Sequence, residues 1–146
     1  MRIAFDLDNT LVDEFAKSVR PGARELLALL RAQGHTLILF TQSTRERARI
    51  ILRDHKLEGA FAEFFFREDW DRQNRNPPKD LRLINADALI DDDPQHIAFA
   101  QALGLRGILV RAYRGGAGNT LEAAPILRAL RPTLAERFRT LFRRKR

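Results

Sequence analysis

The chain has 146 residues, 45% of them hydrophobic and 31% charged, with no cysteine and a formal net charge of +7. That length supports one compact domain with its own core and excludes a second catalytic domain. Without cysteine, disulfides, thiolate zinc sites and cysteine nucleophiles are excluded. The first residues lack the apolar core of a signal peptide and no apolar run is long enough to span a bilayer, so a monomer in a reducing cytoplasm is expected.

In chain order, apolar runs alternate with helical patterns, which predicts an open α/β sheet. A first strand is expected over residues 2–7. A short polar loop follows, then a helix beginning near Pro21, whose fixed φ suits a first helical turn. Leu26, Leu27, Leu29 and Leu30 give that helix its buried face and Gly34 ends it. Residues 36–40 form a second strand, apolar throughout as a sheet covered on both faces requires. Ser43 and Glu46 read as a capping box for a helix that buries Ala48, Ile51 and Leu52. A third strand is expected near residues 64–66, and the polar stretch 68–78, with two prolines, reads as a loop. Residues 80–83 suit a short helix and 88–90 a fourth strand. Residues 94–103 suit a helix closed by Gly104, and 108–110 a fifth strand. Gly115, Gly116 and Gly118 mark a flexible connection to the last helical segments.

The positive charge is concentrated at one end. Residues 128–146 hold eight of the 26 basic residues and one of the 19 acids, Glu136, which leaves residues 1–127 with 18 of each. Two segments are therefore expected: a neutral body over 1–127 and a basic amphipathic helix or tail over 128–146. In the tail Leu134, Phe138, Leu141 and Phe142 recur at helical spacing. Docking of that stripe onto the body is the first expectation. A nucleic-acid arm and a membrane-surface helix are the alternatives that would give it an anionic partner.

Polar residues fall at the ends of the expected strands, where α/β sheets bind ligands. Asp6 and Asp8 follow the first strand, Thr41 the second, and Asp91, Asp92 and Asp93 the fourth, while Lys79 lies on the approach to the fourth. Taken singly, Asp6 and Asp8 are as readily a turn or a helix cap, Thr41 a turn residue and Lys79 a solvated side chain. Two carboxylates held close at a strand exit also suit a divalent cation such as Mg²⁺, which combines one or two carboxylates with water and phosphate oxygens. Asp93, before Pro94, reads as a helix N-cap, and Ser43 as a cap before a nucleophile. His35, His55 and His96 lack metal-ligand spacing and read as surface or packing residues. Arg67 reads as a salt-bridge partner, with substrate binding as the alternative.

In order and spacing, Asp6-Leu7-Asp8-Asn9-Thr10 after an apolar strand, Thr41 closing Leu37-Ile38-Leu39-Phe40, Lys79, and Asp91-Asp92 after Ala88-Leu89-Ile90 resemble the four motifs of the haloacid dehalogenase (HAD) superfamily of phosphotransferases. The resemblance covers roughly residues 1–113. Phe66-Arg67-Glu68, Lys79-Asp80-Leu81 and Ile90-Asp91-Asp92-Asp93-Pro94 are similar to the capless branch containing the RNA polymerase II C-terminal-domain phosphatases. The chain departs from that branch in its shorter length, in Asn9 where Glu is common, and in its own loop from Trp70 to Pro78.

The resemblance implies a three-layer Rossmann-like fold with a mostly parallel sheet of about five strands and no cap domain. It implies an Mg²⁺-dependent phosphatase acting through an aspartyl-phosphate. Asp6 would be the nucleophile and Asp8 the general acid and base. Mg²⁺ would be held by Asp6, Asp91 and the Asp8 main-chain carbonyl, with Asp92 a further ligand or an anchor for Lys79. The Thr41 hydroxyl and the Gln42 amide would bind the phosphoryl oxygens, and Lys79 would offset charge. The intervals after the first and second motifs are too short for a cap, and an open site suits a phosphate displayed on a macromolecule. Trp70, Arg72 and Arg75 could form a substrate rim, or the loop could simply be anchored by its Trp. The alternatives are a 5′-nucleotidase or polynucleotide-end phosphatase, and a non-catalytic phosphate-binding scaffold.

Overall fold

Five parallel strands form the centre of the protein: β1 (Arg2–Phe5), β2 (Thr36–Phe40), β3 (Glu63–Phe65), β4 (Ala88–Asp91) and β5 (Arg106–Leu109), in the order β3-β2-β1-β4-β5. The architecture comes from a computed structural model that describes residues 1–133. The expected stripe Leu134, Phe138, Leu141 and Phe142 lies outside the described residues. The helices are α1 (Ala23–Ala32), α2 (Arg45–Asp54), the short α3 (Arg67–Trp70), α4 (Pro94–Ala102) and α5 (Ala123–Leu130). Among the described residues no helix is long and apolar enough to cross a membrane.

Side-chain alternation along the strands divides the core between the two faces of the sheet. Ile3 and Phe5 of β1 and Leu37 and Leu39 of β2 pack with Leu26, Leu27 and Leu30 of α1, Ile51 and Leu52 of α2, and Ile126 and Leu130 of α5. Ala4, Ile38, Phe40 and Leu89 face the other way, onto Ile97 and Ala100 of α4 and the 3₁₀ turn Leu81–Ile84. Each fully buried Leu, Ile or Phe contributes about 1.5–3 kcal/mol. Burial on both faces is why the central strands are apolar without interruption.

The element boundaries differ from expectation where local contacts outweigh local propensity. Helix α1 starts after Gly22, which takes φ +82, so Pro21 precedes the helix. The Ser43–Glu46 box does not form; Thr44 caps α2 by accepting from the Arg47 N–H at 3.4 Å, because Ser43 Oγ receives the Arg47 guanidinium. Strand β3 ends at Phe65, and the buried Phe66 opens α3 inside the stretch expected to be irregular, its N–H donating to Asp69 Oδ2. Asp93 caps α4 as expected, accepting from the Gln95 N–H at 2.8 Å. Helix α5 crosses residues 127 and 128, where the body and tail were divided.

The connection from β5 to α5 is fastened on either side of its glycines. Tyr113 is buried and its N–H donates to the Asn9 carbonyl at 2.7 Å, while the Leu121 N–H donates to the Pro21 carbonyl at 2.7 Å. Gly22 makes this approach possible, since a Cβ there would lie 2.6 Å from the Leu121 carbonyl oxygen. Gly22→Ala, strained by both φ and contact, is expected to lower stability by about 2 kcal/mol. A urea midpoint equal to wild type would show that the connection is not seated on α1 as described.

Candidate active site

The parallel strands end along one edge, and the order reverses between β1 and β4, which opens a crevice there. Three strand ends deliver the acids and the hydroxyl. Asp6 follows β1 directly, its N–H bound to the Ile90 carbonyl at 3.1 Å. Thr41 follows β2, and Asp91 closes β4 with Asp92 and Asp93 behind it. Asp6, Asp8, Asn9, Thr41, Gln42, Asn76, Lys79, Asp91, Asp92, Asp93 and His96 line an open cavity of about 200 Å³.

Lys79 is 1% exposed and bridges two of the acids, Nζ lying 2.6 Å from Asp6 Oδ1 and 2.7 Å from Asp91 Oδ2. The Lys79 main-chain N–H donates to His96 Nδ1 at 3.1 Å. That bond requires an unprotonated Nδ1, in keeping with a buried imidazole whose pKa is lowered by desolvation and then by the Lys79 charge. Asp91 Oδ1 accepts from the Asp93 N–H at 2.9 Å. Buried Thr10 donates its hydroxyl to Asp92 Oδ1 at 3.0 Å and lies 3.3 Å from Asp6 Oδ2. Lys79 is therefore anchored by Asp6 and Asp91, and the alternative anchor expected for it, Asp92, is held by Thr10 instead.

One oxygen each from Asp6, Asp91 and Asp92 fall within 4.8 Å of one another. Three carboxylates meet one ammonium, and the electrostatics record the imbalance. Burial pushes Asp6 up to about 8, against the pull of Lys79 and with a further push from Asp91 and Asp92. Burial and the Asp91 charge push Asp92 upward as well. Burial would depress Lys79, yet Asp6 and Asp91 outweigh it and hold its pKa above the ordinary lysine value. An all-oxygen, acid-rich cluster of this kind fits a small divalent cation, which would relieve the repulsion.

The Asp8 carboxylate turns away from this cluster to Arg47, with NH2 2.7 Å from Oδ1 and NH1 2.8 Å from Oδ2. The Asp8 carboxylate is accordingly not among the clustered oxygens of Asp6, Asp91 and Asp92. Thr41 Oγ1 accepts from the Ser43 N–H at 3.0 Å, which leaves its own proton free to donate. The Gln42 side chain donates Nε2 to Asp71 Oδ2 at 2.5 Å while Oε1 is buried without a partner. Trp70 anchors its loop as one of the two readings expected, donating Nε1 to the Thr41 carbonyl at 3.1 Å and packing edge-on against Phe40. Arg72 Nε binds the Glu68 carbonyl and the Arg75 main-chain N–H binds Asp71 Oδ1, while the loop residue that lines the cavity is Asn76. Arg67 reaches Asn74 Oδ1 at 3.5 Å and makes no close ion pair among the described residues, in place of the salt bridge expected, although, against burial, its charge helps hold the Asp71 carboxyl below its ordinary pKa.

Three site neighbours escaped the sequence reading. His96 supports Lys79 from behind. Arg47 covers Asp8. Arg20, 3% exposed, donates Nε and NH2 to Asn119 O and Oδ1 and NH1 to the Thr10 carbonyl at 3.4 Å, bracing the first motif beneath Tyr113. Arg47 alone carried a signal, its place in the first turn of the helix that leaves the second strand.

The profile of the NLI interacting factor-like phosphatase family matches residues 2–137. Among curated proteins none matches the sequence. Several solved structures share the fold. A haloacid dehalogenase-like family hydrolase from Streptococcus pneumoniae has a TM-score of 0.63 at 13% identity, covering 89% of this chain and 98% of its own. A protein from Thermotoga maritima, provisionally described as a β-phosphoglucomutase, has a TM-score of 0.66 at 15% identity, covering 89% and 99%. The D,D-heptose 1,7-bisphosphate phosphatase from B. bronchiseptica, solved with magnesium and phosphate, has a TM-score of 0.58 at 16% identity, covering 88% and 97%.

Proposed function

The chain belongs to the NLI interacting factor-like phosphatase family, a phosphoric monoester hydrolase on a HAD-like fold, and on that premise we propose that Asp6 attacks the phosphorus of a phosphomonoester with Mg²⁺ as cofactor. The observation that carries this reading is the buried Lys79 bridge between Asp6 and Asp91, set among three carboxylates whose oxygens lie within 4.8 Å. Asp6 Oδ2, which among the described residues is touched only by the long bond from Thr10, is the oxygen free to attack.

In the first step the Asp6 oxygen bonds to phosphorus as the bond to the leaving oxygen breaks, and Asp8 gives that oxygen its proton. In the second, water attacks the phosphorus of the aspartyl-phosphate, Asp8 takes the water's proton, and orthophosphate leaves Asp6 as a carboxylate. The Thr41 hydroxyl and the Gln42 main-chain N–H bind the phosphoryl oxygens, and Lys79 offsets the charge that gathers on nucleophile and phosphate. Asp6, Asp91, Asp92 and the Asp8 carbonyl would hold Mg²⁺, which supplies charge neutralisation of the phosphoryl oxygens. The open cavity supports a phosphate displayed on a macromolecule, and a polynucleotide end belongs to that class. The basic segment over 128–146 is proposed to bring the chain to an anionic partner.

The reading is tested by turnover of a generic phosphomonoester with Mg²⁺, after removal of the metal with EDTA, and in Asp8→Asn. Metal removal should abolish turnover and added Mg²⁺ restore it, while Asp8→Asn should lower the rate by about 10²–10⁴. Full activity in EDTA would contradict the cofactor assignment.

A further inference from the structure

Arg47 holds Asp8 from two nitrogens: NH1 donates to Oδ2 at 2.8 Å, and NH2 stands 2.7 Å from Oδ1, a buried oxygen that makes no hydrogen bond among the described residues. Its other contacts are neutral: NH1 lies 2.9 Å from Ser43 Oγ, and NH2 lies 3.5 Å from the Glu14 main-chain oxygen. Among the described residues Asp8 is thus the acid partner of this guanidinium. The pair is open to solvent, with the Arg47 side chain 43% and Asp8 27% exposed.

To serve the leaving oxygen, Asp8 must turn an oxygen from Arg47 toward the substrate. The guanidinium then stands on the leaving-group side with donors free and no carboxylate against it. A planar fork in that state matches two oxygens of a phosphate better than any neutral group. Arg47 is also a wall of a second open trough, about 390 Å³, whose apolar lining includes Phe15, Ala16 and Ile50 and whose acids are Glu46 and Asp54, so an uncharged remainder of a leaving group has room to lie there while its phosphate stays at Arg47.

We propose that Arg47 reads a second phosphate on the leaving group, so that the preferred substrate is a phosphomonoester whose alcohol carries a further phosphate or phosphodiester. This rests on the proposed function, in which Asp8 faces the leaving group. The chemistry is shared by nucleic-acid ends and by bisphosphorylated small molecules, so both sources enter the test. A surface ion pair without a recognition role would predict no selectivity for a second phosphate.

The test is calorimetric binding to the Asp6→Asn protein with Mg²⁺ of adenosine 3′,5′-bisphosphate against the 3′- and 5′-monophosphates, and of fructose 1,6-bisphosphate against the 6-phosphate. At least one bisphosphate should bind about tenfold tighter than its monophosphates, and the pair that discriminates identifies the source. Adding Arg47→Gln should bring that ratio to about twofold or less, while Arg47→Lys should retain part of it. Equal binding in both pairs, or a ratio unchanged by Arg47→Gln, overturns the proposal. The same substrate pairs are followed by turnover in the wild type. Discrimination in binding with no turnover of any phosphomonoester would contradict the proposed function while leaving the receptor intact.

Discussion

Replacing Asp6 by Asn is expected to reduce phosphomonoester turnover by at least ~10⁴-fold, because the amide keeps the shape of the nucleophile and removes its reactivity. The fold should survive. The introduced amide oxygen can still accept from Lys79 Nζ, now 2.6 Å from Asp6 Oδ1, and the main-chain bond to Ile90 is unaffected. The same variant makes a thermodynamic prediction with an opposite sign. Asp6 titrates at about 8 in the fold against an ordinary value of 3.8, with burial the largest cause. Between those two values the native state holds a proton on Asp6 that the unfolded chain has released, so the contribution of Asp6 to the stability of the metal-free wild type falls as pH rises from about 4 to about 8. A side-chain amide has no such proton. At pH 8 in EDTA the variant should therefore melt several degrees above wild type, and the gap should shrink toward pH 4. Mg²⁺ should reverse the order by favouring the ionised Asp6. Melting curves at both pH values, with and without the metal, check the sign; a variant less stable than wild type at pH 8 in EDTA would mean that Asp6 is not strained by its surroundings.

Lys79→Met should damage both stability and chemistry. The ammonium is buried between Asp6 and Asp91, so its loss leaves Asp91, and Asp6 wherever it is ionised, in a low-dielectric site with no positive partner. Breaking a buried pair in this way costs about 3–5 kcal/mol. Turnover should fall by about 10²–10³ from the lost neutralisation of nucleophile and phosphate. Two further results separate charge from packing. Mg²⁺ should stabilise Lys79→Met more than it stabilises wild type, and adding Asp6→Asn should recover part of the lost stability and none of the activity. Urea unfolding of the single and double variants measures both. If Lys79→Met unfolds at the wild-type midpoint, the bridge contributes no net stability and its assigned role fails.

The central strands and the acids at their ends were legible because burial on both faces leaves an uninterrupted apolar run that the first polar residue terminates. Asp6, Thr41 and Asp91 are each such a terminator. The edge strands were less so. Glu63 opens β3 with its carboxylate held by two hydrogen bonds from Arg2 of β1, and Gly107 lies in β5 where a Cβ would stand 2.7 Å from the Ile97 carbonyl oxygen, contacts that only the fold creates. Ser43 and Thr44 are equally able caps in sequence, and the Arg47 guanidinium decided between them. His96, Arg20 and Arg47 were missed for one physical reason: each acts through a contact made by folding, with Lys79, with Asn119 and Thr10, and with Asp8. Only Arg47, in the first turn of the helix that leaves the second strand, has a position along the chain that hints at its contact.

The account turns on a phosphoryl group passing through Asp6, and rapid-quench peptide mapping addresses that directly. Wild type and Asp8→Asn are mixed with a phosphomonoester and Mg²⁺, quenched in acid during turnover, digested and weighed. With p-nitrophenyl phosphate, whose leaving group departs without a proton, the peptide containing Asp6 is predicted to carry one added phosphoryl group, more abundantly in Asp8→Asn, where only the activation of water is slowed, and never in Asp6→Asn. Sustained turnover with that peptide unmodified at every time point, together with an active Asp6→Asn, would contradict the account.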